Sequence, residues 1–125
     1  MNLLLDTHVL LWWLDESPSL SVKAREAIAN SDNLVVLSAA TLWEIRIKQS
    51  LDKLKIPPDF YSVVQQQKFD LLPITHKHAY GIGDFPYHHR DPFDRILISQ
   101  AKIENLTIIT HDAIFKKYPV PLLKT

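Results

Sequence analysis

Four carboxylates stand where a folded chain has little ordinary use for all of them. Asp94 sits in Asp91-Pro92-Phe93-Asp94-Arg95-Ile96-Leu97-Ile98-Ser99-Gln100-Ala101, where helical spacing puts it on one stripe with Leu97, Ile98 and Ala101. The same spacing leaves Arg95, Ser99 and Lys102 on the polar side. Glu44 repeats the anomaly on a separate helix, sharing a stripe with Ala40, Trp43, Ile47 and Leu51. An ionised carboxylate is seldom buried alone, because leaving water costs several kcal/mol or more. Asp6 and Asp112 each follow a short apolar run that reads as a buried strand. Crowded like charges raise one another's pKa unless a cation intervenes. An all-oxygen set selects hard divalent ions, magnesium or manganese rather than zinc. Such ions lower the pKa of a bound water, and a second ion about 4 Å away steadies the leaving oxygen of an in-line attack on phosphorus. Phosphodiester hydrolysis is the reaction that suits these acids best.

Other residues can serve the same chemistry. Thr7 and Thr110, each beside a strand-end acid, can brace carboxylates through their hydroxyls, or simply cap helices. Arg46, Lys48, Arg90 and Arg95 are candidates for phosphate contact, against the plainer alternative of solvated surface cations. Asp91 reads equally as a helix cap before Pro92 and as a further ligand, and Asp6 and Asp112 taken singly are also ordinary caps. For Glu44 and Asp94 the competing reading is a buried ion pair with Arg46 or Arg90. His76, His78, His88 and His89 make a weaker zinc candidate, since no thiolate accompanies them.

Elements that would position these groups follow from the pattern. Asn2 to Leu5, Leu34 to Leu37, Leu71 to Ile74, Leu106 to Thr110 and Val120 to Leu122 read as short strands. Helices run from about Val9 to the Asp15–Pro18 stretch, from Ser19-Leu20-Ser21 to near Asn30, from Ser38 or Thr41 to about Leu51, over 59–68, from Thr75 to about Gly81 and from Asp91-Pro92 through Ala101, with a short one ending near Tyr118. Trp12 and Trp13 are neighbours that cannot share a helix face, so one packs inward and the other is left for a groove, while Trp43 reads as core. Strands alternating with helices predict an α/β chain with a parallel sheet of about five strands covered on both faces. Right-handed crossovers then send every strand's C-terminal end to one edge, where ligands bind. The four acids converge on that edge.

Composition sets limits. The 125 residues suit a single domain over 1–125, and 46% hydrophobic with 22% charged residues suits a water-soluble globule. Lys plus Arg balance Asp plus Glu at 14 each, so nucleic acid would be held by local basic groups and not by an overall positive field. Cysteine is absent, which excludes disulfides and thiolate metal sites and makes a reducing cytoplasm the expected setting. No apolar run approaches the roughly 18 residues that would span a bilayer, so no membrane role is expected.

Four segments also carry a family resemblance. Leu4-Leu5-Asp6-Thr7-His8, Ser38 to Lys48 around Thr41-Leu42-Trp43-Glu44-Ile45, His89-Arg90-Asp91-Pro92-Phe93-Asp94-Arg95 with its helix, and Thr110-His111-Asp112 resemble, in order, the PIN-domain toxins of the VapC family. The resemblance implies a three-layer α/β/α sandwich and a magnesium- or manganese-dependent endoribonuclease, the toxin of a toxin-antitoxin pair. It implies silencing by a VapB-type antitoxin, a homodimer, and a toxin-antitoxin hetero-oligomer that meets DNA only through the antitoxin. By position Asp6, Glu44, Asp94 and Asp112 match the family's acidic quartet, and Asp91 is the extra acid of one subgroup. Asp52 stands where such sequences usually carry glycine, and His111 where arginine is common.

Two other classes fit the length and alternation. A phosphoacceptor receiver module also has an acidic magnesium pocket, but it needs adjacent acids after the first strand and an acceptor Asp after a middle one. Asp6 stands alone, and Leu72-Pro73-Ile74 supplies no acceptor. A catalytically silent PIN-fold binding protein would have no need to keep all four acids.

Overall fold

The computed structural model describes residues 1–125. Strand β1 (Asn2–Leu5) lies at the middle of a five-stranded sheet. Its neighbours are β2 (Leu34–Ser38) and β4 (Thr107–Thr110), and the edges are β3 (Asp70–Leu72) and β5 (Leu122–Lys124). The order is β3-β2-β1-β4-β5, and every pairing is parallel. Between the strands run α1 (Thr7–Leu14), α2 (Val22–Ala29), α3 (Ala39–Ser50), α4 (Phe60–Gln66), α5 (His76–Gly81) and α6 (Pro92–Glu104). This is the α/β architecture expected from the alternation. It is not the receiver arrangement, whose doubly wound order is 2-1-3-4-5, so the phosphoacceptor alternative is withdrawn.

Alternation along each strand builds two cores. Leu3, Leu5, Val35, Leu37 and Ile109 face one side, with Val9 and Leu10 of α1, Ala24 and Ile28 of α2, Ile45 of α3 and Val64 of α4. Leu4, Val36 and Ile108 face the other, against Leu97, Ile98 and Ala101 of α6 together with Phe115 and Tyr118. Successive strand residues point to opposite faces, so continuous apolar runs are what a sheet covered on both sides requires.

Local chemistry sets the helix ends. Ser21, Ser38, Thr75, Asp91 and Asp6 each accept from a backbone N–H in the first turn of the helix they precede. Asn105 ends α6 at φ 55°. Asp52, just past α3, also has φ 55°, which is why a glycine is at home at that position. Gly81 lets α5 lie close to α6, since a Cβ there would stand 2.9 Å from the Ser99 hydroxyl.

Several expectations are corrected. Helix α3 turns Ala40, Thr41, Glu44 and Ile45 inward, which leaves Trp43 57% and Leu51 58% exposed. Trp43 is therefore not core; its ring meets Phe93 edge-on at 5.2 Å. Helix α6 has no polar side at Arg95 and Ser99, which are 2% and 1% exposed. Helix α5 and the 3-10 turn Ile82–Asp84 pack over the side that the periodicity assigned to water. The last strand begins at Leu122 instead of Val120, because Pro119 and Pro121 cannot donate to the ladder.

Candidate active site

Strand order reverses at β1, where one connection leads to β2 and the later return leads to β4. The crevice outside the carboxyl ends of these strands is the ligand position that such sheets create. Asp6 follows β1, Glu44 lies on α3 after β2, Asp112 follows β4, and Asp94 lies in the first turn of α6. Together with Asp91 they line one cavity of about 380 Å³, shared with Thr7, His8, Lys48 and His111. The five acids nominated from sequence are thus brought together by the fold.

Each acid is held locally. Asp6 Oδ1 accepts from the Val9 amide at 2.9 Å while Oδ2 accepts from the Thr110 hydroxyl, so capping α1 and facing the cavity are compatible tasks for one side chain. Thr7 donates its hydroxyl to Glu44 Oε1, and Lys48 Nζ lies 2.9 Å from Glu44 Oε2. Asp91 Oδ1 accepts from the amides of Phe93 and Asp94 at 2.9 and 3.1 Å. Asp112 caps the 3-10 segment Ala113–Lys117 through the Ile114 amide.

Electrostatics shows the strain of gathering them. Burial, followed by the charges of Asp91, Glu44, Asp6 and Asp112, pushes the Asp94 carboxyl up from 3.8 to about 8. Burial also raises Asp6; the Thr110 hydroxyl, the Val9 amide and His8 oppose the rise, and Asp112 adds to it. Lys48 is the one ammonium or guanidinium lining the cavity. Hard oxygen donors with unrelieved repulsion suit a divalent cation. In this arrangement no three Asp, Glu or His side chains stand close enough to hold an ion, each being drawn to a partner of its own.

The nominated cations divide. Lys48 reaches the cavity, and Arg90 is exposed beside Asp91 in sequence. Arg46 donates to Gln49 and lines a separate groove with Leu42, Pro57 and Tyr61. Arg95 is not available to RNA at all. Its guanidinium is buried and donates to the carbonyls of Ile82, Phe85 and Pro86 and to the Tyr118 hydroxyl, at 2.9 to 3.1 Å. The four histidines considered for zinc do not gather: His78 completes the capping box of α5, and His89 turns to Asp94.

Tyr118 is a site residue that sequence reasoning missed, and His89 one that it considered only for zinc. His89 Nε2 lies 3.1 Å from Asp94 Oδ2, and its Nδ1 lies 2.7 Å from the Tyr118 hydroxyl that accepts from Arg95. With Asp94 ionised, the Tyr118 hydroxyl, already accepting from Arg95, donates a hydrogen bond to Nδ1, and the imidazole carries its hydrogen on Nε2, aimed at the carboxylate. His89 followed closely by an acidic helix start was a local signal; nothing in the sequence points to Tyr118. Tyr118→Phe is expected to fold, to lose about 1 kcal/mol of stability, and to weaken Mn²⁺ binding roughly 10-fold by freeing the imidazole. Calorimetric titration checks this, and unchanged affinity contradicts it.

Comparison with known proteins supplies the context. The family model described as PIN domain matches residues 3–121. The chain is 26% identical over 126 residues to Ribonuclease VapC22 of Mycobacterium tuberculosis, covering 96% of this chain and 94% of that protein. The structure is similar to VapBC2 from Rickettsia felis bound to a promoter DNA fragment, with TM-score 0.77, 19% identity and coverage of 100% and 99%. It is similar also to DNA-bound VapBC from Salmonella typhimurium, with TM-score 0.74, 18% identity and coverage of 99% and 98%. At such identities the structural likeness speaks to the fold.

Proposed function

The chain belongs to the PIN-domain family, and from that premise we propose that it is a metal-dependent endoribonuclease, the toxin of a VapBC-type toxin-antitoxin pair, forming one domain over residues 1–125. The observation that carries the reading is the convergence of Asp6, Glu44, Asp94 and Asp112 on one cavity with too little positive charge to balance them. These four, with Asp91 beside them, would hold Mg²⁺ or Mn²⁺. Bound there, a divalent ion supplies a hydrolytic nucleophile at neutral pH and counter-charge at the phosphoryl oxygens. In the reaction a water oxygen bonds to phosphorus and the bond to the 3′ oxygen breaks, leaving a 5′-phosphate and a 3′-hydroxyl. Thr7 and Thr110 keep Glu44 and Asp6 oriented, His89 keeps Asp94, and Lys48 is placed to meet a phosphate once it leaves Glu44. Arg90 is the remaining candidate for a phosphate contact near the acids.

The relative from Mycobacterium is a ribonuclease by name, and the similar Rickettsia and Salmonella structures are VapBC complexes on DNA. The VapBC structures support a VapB-type antitoxin as partner; a homodimer within a toxin-antitoxin hetero-oligomer, meeting DNA through the antitoxin, is proposed with it. No helix is long and apolar enough to cross a membrane, and the cytoplasm is the proposed setting.

Incubation of the purified protein with structured and unstructured RNA tests the function. Cleavage is expected with Mg²⁺ or Mn²⁺, to vanish with chelator and to return when Mn²⁺ is restored. Cleavage indifferent to chelation defeats the metal site. A folded, metal-supplied protein that cuts no RNA is instead a silent binding protein.

A further inference from the structure

The acidic cavity has an aromatic rim. His8, in the first turn of α1 two positions past Asp6, is exposed and lines the cavity. Trp12 lies one helical turn further along, its ring 5.9 Å from that of His8 with planes only 16° apart. His111 arrives from the end of β4, immediately before Asp112, and meets Trp12 edge-on at 5.4 Å and 73°. It too is exposed and lines the cavity. Two of the three rings are thus sequence neighbours of site acids, and all three form one strip leading out from the carboxylates.

Packing does not account for this strip. Trp12 is half-buried, with its inner side against the core under α1, so it is a rigid footing. The two imidazoles add little buried surface, and the Nδ1 of His111 interacts only with the Thr125 carbonyl at 2.8 Å. Two exposed imidazoles braced by a tryptophan that is itself anchored on the core offer the kind of planar surface on which an unpaired nucleobase stacks. A base inside a duplex has both faces covered and cannot use them. The cations leave room for such a contribution, since Arg95 is buried, Lys48 is paired with Glu44 and Arg46 lines another groove, which leaves Arg90 alone exposed near the acids.

We propose that His8, Trp12 and His111 form a stacking platform for an unpaired base of single-stranded RNA, next to the phosphodiester held at the acids. This rests on the ribonuclease reading and adds where the substrate lies and why it must be unpaired there.

The test uses the full chain with Ca²⁺ in place of Mg²⁺ or Mn²⁺, so that the acids are neutralised by an ion that is a poorer catalyst, and reads fluorescence anisotropy of a labelled single-stranded oligoribonucleotide that stays uncut over the measurement. The double variant H8A/H111A is expected to bind it about 10-fold more weakly, the scale of one lost stacked base. Affinity for a duplex of the same sequence is expected to stay unchanged. An oligonucleotide with abasic positions should bind wild type as weakly as the variant binds the intact strand, with no further loss when the two changes are combined. H8F/H111F should restore binding, since phenyl rings stack without the imidazole nitrogens. Equal losses on intact and abasic strands would mean that these histidines touch backbone or a protein partner, which overturns the platform, as does unchanged binding by H8A/H111A. Cleavage of the same strand by wild type with Mn²⁺ is scored separately, so loss of the nuclease reading and loss of the platform are distinguishable.

Discussion

Asp94→Asn is expected to make the metal-free protein more stable while abolishing the proposed RNA cleavage. Asp94 is held by burial and four neighbouring acids at a pKa of about 8, against 3.8 for the free side chain. The folded state therefore keeps a proton that the unfolded chain releases between those two values. Stability linked to this proton is fully present below about pH 4 and is lost as pH rises to about 8. Asparagine is neutral throughout, and its amide oxygen can still accept from His89 Nε2. The variant should match wild type near pH 4 and gain as pH rises. At pH 8 the gain should be about 1–3 kcal/mol after relaxation, or roughly 5–10 °C in Tm.

Mn²⁺ should then reverse the ranking. Wild type gains stability with the ion, releasing a proton as Asp94 ionises, whereas the asparagine variant gains little. Cleavage should fall on the order of 100-fold or more. Melting curves from pH 4 to 8 with and without Mn²⁺, and calorimetry in buffers of different ionisation enthalpy, check both halves. A variant no more stable than wild type at pH 8, or one that keeps its cleavage, removes Asp94 from the proposed site.

Asp94 and Glu44 were legible because a carboxylate on an apolar stripe is a local contradiction, visible in the periodicity of one helix. Asp6 and Asp112 were only half legible. Capping is a complete explanation for each, and the structure shows both capping while they face the cavity. The parallel sheet and its order around β1 followed from short apolar runs alternating with helices. What the pattern could not supply was the covering of α6 on its second side. Periodicity sees one helix at a time, whereas Arg95 and Ser99 are enclosed by segments that precede them in sequence, α5 and the turn after it. The link from Arg95 through Tyr118 and His89 to Asp94 is illegible for the same reason, since its members meet only after the chain has closed around β4 and β5.

Loss of the Arg95 guanidinium is expected to be the most destabilising single change near the site. The side chain has no carboxylate partner; its two terminal nitrogens donate to three backbone carbonyls of the Ile82–His89 segment and to the Tyr118 hydroxyl, while the buried Nε has no acceptor. Tyr87 lies over it at 4.2 Å from ring centre to guanidinium carbon. One planar fork thus pins a loop whose own apolar anchors are Ile82 and Phe85, Tyr87 being 76% exposed. Arg95→Leu keeps the helix and much of the volume but releases the carbonyls and the phenol, at a cost of about 3 kcal/mol or more. Arg95→Lys should recover little, because a single ammonium cannot span carbonyls that two separate guanidinium nitrogens reach. Urea denaturation measures the loss, and limited proteolysis should show cutting confined to residues 82–90 before global unfolding. Mn²⁺ affinity should fall in parallel with the Tyr118→Phe variant, because both changes untie the imidazole that holds Asp94. A lysine variant within about 1 kcal/mol of wild type, with an uncut loop, would show that the segment is held by something other than this guanidinium.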